Sequence, residues 1–406
     1  MPSMRILFLE PFAGPSHLAV AEGFARHSRH DVELFKLPDR FWKWRMRAAA
    51  LDFYHTIERP EDYDAIIASD IISVADLKGL WSGRTPPIVL YCHENQISYP
   101  TRTENEADLH FGFTSITSCL AADHVWFNSA FHQNAFLDAL PAFLRRMPDR
   151  RPTWVPAAIA GKSRVVYPGI EIPQRRLDPS RRPAPGTPGG SAPPEAVGAS
   201  PPDGARSRGG ASVPLVLWNH RWEYDKQPEV FFAAVDKLVE RGTEFELAVV
   251  GESRGTKPPV FAQARARHGD RIRLWGFCSE RAAYEALLCQ ADVVVSCAIQ
   301  ENFGISVLEA AAAGALPVLP RRLSYPELFG ADEAVFYDSD ADLADAIEGA
   351  LGLSLRRLSG KSNAGADRGA DARPAVPGLQ ERAGGRARAF AWEERISEWD
   401  ESLLRL

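Results

Sequence analysis

A-D-V-V-V-S-C-A-I-Q-E-N-F-G-I-S-V-L-E-A-A-A-A-G-A-L-P, residues 291–317, is the stretch whose reading decides the fold. Residues 292–298 form a β-branched apolar run, the pattern of a strand covered on both faces. Residues 299–304 are a polar break ending in glycine. Residues 305–313 have helix composition, and Gly314 stands where such a helix would stop. The unit is therefore strand, loop, helix, with the loop at the strand's carboxyl end. In an open α/β sheet that edge is where ligands bind. Glu301 lies in the loop, and Glu309 lies eight residues on, in the helix. Loop amides and a helix N-terminus offer N–H donors and a positive dipole end to a phosphate or a sugar oxygen. Two carboxylates in the same place suit a ligand that also carries hydroxyls, as a sugar nucleotide does.

The same alternation extends in both directions. Residues 5–10, 31–37, 65–69, 87–92, 123–128 and 164–167 read as strands, with helix periodicity at 18–26, 111–122 and 131–140. Residues 174–212 then turn to Pro, Gly, Ala and Ser. A stretch so poor in large apolar residues cannot offset its chain entropy, and it reads as a disordered insert. Strands resume at 214–219, 246–251, 271–277 and 316–319, with helices at 229–241 and 279–289. Residues 354–388 are again of low complexity. In the tail, Trp392, Ile396, Trp399 and Leu403 stand at helical spacing. The expected fold is α/β: two Rossmann-like doubly wound domains, residues 1–173 and 213–353, facing across a cleft and closed by a C-terminal crossover helix within 389–406.

Composition excludes several classes. With 45% hydrophobic and 25% charged residues the chain has the make-up of a globular protein. No apolar run has the length of a membrane span. The start, M-P-S-M-R-I-L-F-L-E, does not read as a signal peptide, so a cytoplasmic location is expected. The formal charge of −6 excludes a generally basic nucleic-acid binder and leaves room for a local basic patch. Cys92, Cys119, Cys278, Cys289 and Cys297 lack metal spacing and read as reduced thiols. The acids Asp62/Asp64 and Asp338/Asp340/Asp342 read as loop residues, and no metal is required.

Other candidate site residues leave predicted strands at the same edge. In W-N-H-R-W-E-Y-D-K, Arg221 offers a planar fork and Lys226 a point charge, a pairing suited to pyrophosphate. The plainer reading is a pair of surface cations beside Glu223 and Asp225. His93, with Glu94, Asn95 and Gln96 beside it, follows the strand at 87–92. Gly14, Ser16 and His17 follow the first strand. There Gly14 permits close approach of a ligand, or Ser16 simply caps a helix. Trp42, Lys43, Trp44, Arg45 and Arg47 interleave aromatics with cations, which suits stacking on bases and contact with phosphates. The alternative is a helix start with its tryptophans inward. Arg145, Arg146, Arg150 and Arg151 form a further basic cluster.

Assembled, these pieces resemble a known family. The two-domain plan, Arg221/Lys226 and the E-x7-E pair Glu301/Glu309 are similar to the retaining GT-B glycosyltransferases of family 4. In the first half, F-x-G-x-S-H at 12–17, L-P-x-x-x-W-x-W-R-x-R at 37–47 and H-E-N-Q-x-x-Y-P at 93–100 resemble the tRNA-queuosine α-mannosyltransferase group. H-R-W-E-x-D-K at 220–226 matches the same group. One departure is Pro15, at a position where the pattern has a second glycine. The resemblance implies GDP-mannose as donor and the cyclopentenediol of queuosine in a tRNA anticodon as acceptor. It assigns the pyrophosphate to Arg221 and Lys226 and the ribose hydroxyls to Glu309. The mannose falls to Glu301 and the Asn302, Phe303 and Gly304 amides, with Gly14 on the donor side and His93 near the reacting sugar. Ser16, His17, Trp42, Trp44, Arg45, Arg47, Glu94, Asn95 and Gln96 fall to the acceptor. Retention without an evident nucleophile implies front-face attack, the leaving phosphate taking the acceptor's proton. Two other readings fit the same fold: transfer to a lipid, glycan or small molecule, and a sugar-nucleotide epimerase or sugar-binding protein.

Overall fold

A computed structural model describes residues 3–100, 109–173, 213–253, 257–358 and 378–406. The insert expected at 174–212 lies outside them. Two parallel six-stranded sheets form the frame. The first contains β1 (Arg5–Glu10), β2 (Asp31–Lys36), β3 (Ala65–Ser69), β4 (Ile88–Cys92), β5 (His124–Phe127) and β6 (Ser163–Val165). Its helices are α1 (Pro15–His27), α2 (Trp42–Thr56), α3 (Val74–Leu80), α4 (Leu109–Ala121), α5 (Ala130–Arg145) and α6 (Val155–Ala160). The second sheet contains β7 (Leu215–Asn219), β8 (Glu246–Val250), β9 (Ile272–Gly276), β10 (Val293–Val295), β11 (Leu316–Pro320) and β12 (Val335–Tyr337). Around it lie α7 (Pro228–Glu240), α8 (Pro259–His268), α9 (Arg281–Leu288), α10 (Ile305–Ala313), α11 (Tyr325–Leu328) and α12 (Leu343–Leu358). Two more helices, α13 (Leu379–Arg388) and α14 (Trp392–Leu403), end the chain.

The central strands are apolar on both faces because helices cover both. Every residue of β3, β4, β7 and β10 is buried. Strand order locates the ligand edge. The first sheet runs β2-β1-β3-β4-β5-β6 and the second β12-β11-β10-β7-β8-β9. Connections leave in opposite directions between β1 and β3, and between β7 and β10. A crevice opens at each of these reversals, outside the carboxyl ends of the strands.

The C-terminal helix returns to the first half. Trp392 and Trp399 of α14 are buried in one core with Ile6, Phe8 and Phe24. Trp392 sits against two glycines: a Cβ on Gly23 or Gly169 would come within 2.0 or 2.2 Å of its indole. Ile170 and Ala391 form a parallel bridge where the chain crosses between the halves.

The low-complexity segment read at 354–388 needs correction at both ends, because α12 runs on to Leu358 and 379–388 is helical. The Gly- and Arg-rich composition has a packing cause. Gly384 lies against the backbone of α10, where a Cβ would stand 3.3 Å from the Ala311 carbonyl. Arg388 donates to the Ala312 carbonyl (2.7 Å) and Gln380 to that of Gly314, so α13 caps the carbonyl end of α10.

Candidate active site

Glu10 ends β1 and Ser69 ends β3, so the two face each other across the first crevice. Ser69 Oγ donates to Glu10 Oε2 at 2.5 Å, and the Phe12 amide donates to Glu10 Oε1 at 2.8 Å. His17 Nδ1 lies 3.3 Å from Glu10 Oε1. The imidazoles of His17 and His93 stack with centroids 4.0 Å apart. Burial disfavours charge on His17. The Glu10 carboxylate, with Asp70 and Glu94 behind it, outweighs burial and pushes the ring up to about 9. Burial and the neighbouring His17 charge hold His93 well below the usual imidazole range. One ring is thus a fixed cation and the other neutral. Burial pushes Asp70 up to about 7, against the pull of His17 and with the push of Glu94.

Glu10, His17 and His93 also offer three candidate metal ligands within 4.8 Å of one another. A metal lies in the plane of each imidazole that binds it. These two rings are only 22° from parallel and stacked, so their planes do not meet at a common ion. The arrangement suits a hydrogen-bonded wall instead.

The second crevice holds the other assigned residues. Lys226 is buried, donates to the Gln300 carbonyl (2.6 Å) and approaches Glu301 (3.3 Å) and Asp225 (3.4 Å). Burial opposes its charge, but Glu301 and Asp225 raise its pKa above the usual value. Arg221, half-exposed, pairs with Glu223 at 3.2 Å. Gly304 precedes α10 at φ 100°, a left-handed conformation that favours glycine. Glu309 is buried in α10, where burial pushes its carboxyl up and Arg281, at 2.7 Å, pulls it down.

The crevices face each other and are bonded together. Asn302 Nδ2 donates to the His93 carbonyl (3.1 Å), which also accepts from Asn128 Nδ2 (3.0 Å). Ser129 Oγ donates to the Asn302 carbonyl (2.5 Å). The Tyr224 hydroxyl reaches the Pro100 carbonyl. Glu327 accepts from the amides of Ala130 and Phe131, at 2.7 Å each, and from the Tyr167 hydroxyl at 2.8 Å. One carboxylate of the second half thereby caps helix α5 of the first.

Some sequence assignments sit elsewhere than the motifs suggest. Asn95 is buried and turned on its own loop, its Oδ1 accepting from Ile97 and Ser98. The Phe303 side chain lies in the core against Phe390 at 5.6 Å, so only its backbone can meet a ligand. Gly14 has an ordinary φ of −69°, and it rather than Ser16 is the N-cap residue of α1. Pro15 falls at N1, where a missing N–H costs nothing. Trp42 packs on Phe111 at 5.0 Å, whereas Trp44 is 74% exposed. Arg45 donates to the Pro38 carbonyl and pairs with Asp52 at 3.5 Å. Motif reading missed Glu10, Ser69, Asp70, Arg281 and Glu327. For the first three a signal existed, since each stands at the carboxyl end of a predicted strand.

Both halves of the chain have known relatives. Residues 5–170 match the family model described as tRNA-queuosine alpha-mannosyltransferase N-terminal, and residues 210–364 match glycosyl transferases group 1. The tRNA-queuosine alpha-mannosyltransferase of Drosophila melanogaster is 34% identical over 331 residues, 80% of this chain and 81% of that one. A GDP-mannose-dependent alpha-(1-6)-phosphatidylinositol dimannoside mannosyltransferase of Mycobacterium tuberculosis is 30% identical over 126 residues, 31% of this chain and 32% of that one. In fold, the chain is similar to Anabaena HepE crystallised with UDP-glucose (TM-score 0.65, 15% identity, 99% of this chain and 100% of that one).

Proposed function

The chain belongs to the tRNA-queuosine alpha-mannosyltransferase family, and from that premise we propose that it moves mannose from GDP-mannose, with retention, onto the cyclopentenediol of queuosine in a tRNA anticodon. The observation that carries this reading is the pairing of two ligand crevices through the His93–Asn302 bond. The donor occupies the second crevice. Arg221 and Lys226 meet the pyrophosphate, Glu309 the ribose, and Glu301 with the amides of Asn302, Phe303 and Gly304 the mannose. Cleavage builds negative charge on the leaving phosphate, and the Lys226 and Arg221 cations stabilise it in exchange for part of their present pairing with Glu301, Asp225 and Glu223. The acceptor diol enters against the wall of Glu10, His17 and His93. With His17 charged and His93 neutral, that wall can donate to a hydroxyl or to the sugar without acting as nucleophile. The departing phosphate takes the acceptor's proton on the face where the new bond forms.

The nucleotide needs no metal in this reading, because Lys226 and Arg221 can exchange their carboxylate partners for the phosphates. No described helix is long and apolar enough to cross a membrane, and action on tRNA fits a cytoplasmic enzyme. The test is incubation with GDP-mannose and queuosine-bearing tRNA, followed by nucleoside mass analysis, with and without EDTA. A hexose on queuosine in both arms supports the reading. Transfer only to lipid, glycan or small-molecule acceptors, or loss on chelation with rescue by Mg²⁺, contradicts the acceptor or the metal-free mechanism respectively.

A further inference from the structure

Asp70 follows β3 directly, beside the crevice between β1 and β3, and none of the motifs includes it. Its two oxygens are treated differently. Oδ2 accepts from the Glu94 amide at 3.0 Å. Oδ1 is buried with no hydrogen-bond partner among the described residues. A buried carboxylate oxygen without a donor is costly, and such a group usually marks a missing partner. The surrounding wall does not provide one. The Ser69 hydroxyl is held by Glu10, and His17 Nδ1 also faces Glu10. The nearby carboxylates Glu10 and Glu94 are acceptors when ionised.

We propose that Asp70 Oδ1 receives the acceptor hydroxyl that is not mannosylated, making Asp70 a specificity-determining residue for a vicinal diol. This rests on the function proposed above and goes beyond it by dividing the two hydroxyls. The attacking hydroxyl must give its proton to the leaving phosphate, so it faces the second half, where Arg221 and Lys226 stand. The other hydroxyl sits on the adjacent carbon, at the edge of the first half's wall. There Asp70 presents its one unoccupied acceptor, already oriented by the bond between Oδ2 and the backbone.

The test is Asp70→Asn, which keeps shape and size. Because the Glu94 amide donates to one terminal atom, the new side chain must turn its oxygen there and present its NH₂ where Oδ1 stood. It can no longer accept from a hydroxyl. With GDP-mannose and queuosine-bearing tRNA at pH 8, where Asp70 is ionised, the KM for tRNA should rise about tenfold to hundredfold, the loss of one hydrogen bond to a charged group. The KM for GDP-mannose should stay near wild type, and the melting temperature should not fall below it. Asp70→Ser, which also relieves crowding with Glu10 and Glu94, should show the same split and serves if the amide variant folds poorly. An unchanged tRNA KM in a folded variant, or equal losses for both substrates, overturns the assignment. Failure of the wild-type protein to transfer to queuosine would instead overturn the acceptor reading on which it rests.

Discussion

At the scale of single residues, charge placement makes the most distinctive predictions. Glu10, Asp70 and Glu94 surround His17, and His93 stacks on it, so His17 holds its proton in the folded state up to about 9 against an ordinary 6.5. The sign follows from linkage. Below 6.5 both folded and unfolded rings are protonated and the stabilisation is complete, and it is lost as pH rises through 9. Asp70 titrates near 7 instead of 3.8, so its contribution is likewise complete below the unfolded value and lost as pH rises through 7. His17→Gln should therefore flatten the fall of melting temperature between pH 6.5 and 9, and Asp70→Asn should remove a falling contribution between 3.8 and 7, a window in which the depressed His93, His132 and His220 contribute in the opposite sense. A slope unchanged in both variants would remove these groups from the account. On the donor side, Arg221 and Lys226 call for different experiments. Lys226 is buried among Asp225, Glu301 and the Gln300 carbonyl, so Lys226→Ala strands buried charge and should destabilise by about 3–5 kcal/mol. Arg221 is half-exposed, and Arg221→Ala should leave folding near normal while costing on the order of 3 kcal/mol in kcat/KM. Near-wild-type kinetics there would sink the pyrophosphate assignment.

At the scale of elements, helix α2 and the α11–α5 contact carry the consequences. Along α2, Trp44, Leu51 and Tyr54 are 74%, 59% and 44% exposed and share one face with Arg47, with Phe41 just before it at 77%. The inward reading of the tryptophans holds for Trp42 only. Trp44→Ala should therefore leave stability within about 0.5 kcal/mol. It should weaken tRNA binding by the ~1–3 kcal/mol of one stacking contact, measured by titration. Glu327 joins the halves through two amides of α5 and the Tyr167 hydroxyl. Glu327→Ala leaves these donors unpaired and should lower stability by about 1–3 kcal/mol in thermal melts. A variant that melts like wild type would show that the contact does not hold the halves together. Elements with strong local signals were legible: α10 spans the residues read from composition, and Gly314 stops it at φ 112°. Helix α13 was not, because its glycines and arginines are fitted to the backbone of α10, a partner invisible in a local window.

At the scale of the molecule, the sequence contains the two sheets but not how they meet. Alternating apolar strands and helices were enough to predict two doubly wound units, since buried parallel strands leave a simple pattern. Each of Glu10, Ser69 and Asp70 stands at the carboxyl end of a predicted strand, but their juxtaposition was hidden, because Glu10 lies 59 residues before Ser69 and meets it only through β1–β3 pairing. The interdomain bonds of Glu327 and Asn302 have no local signature at all. The central claim is a division of labour across the cleft: donor on the second half, tRNA on the first. Electrostatic contacts of Arg47 with tRNA phosphates should also weaken with salt. The most direct measurement is a paired determination of KM for GDP-mannose and for queuosine-bearing tRNA in Arg221→Ala and Arg47→Ala. Arg221→Ala should impair use of the donor while tRNA affinity holds, and Arg47→Ala should raise only the KM for tRNA. Equal losses for both substrates in both variants, or no loss for tRNA in Arg47→Ala, would contradict the division of labour.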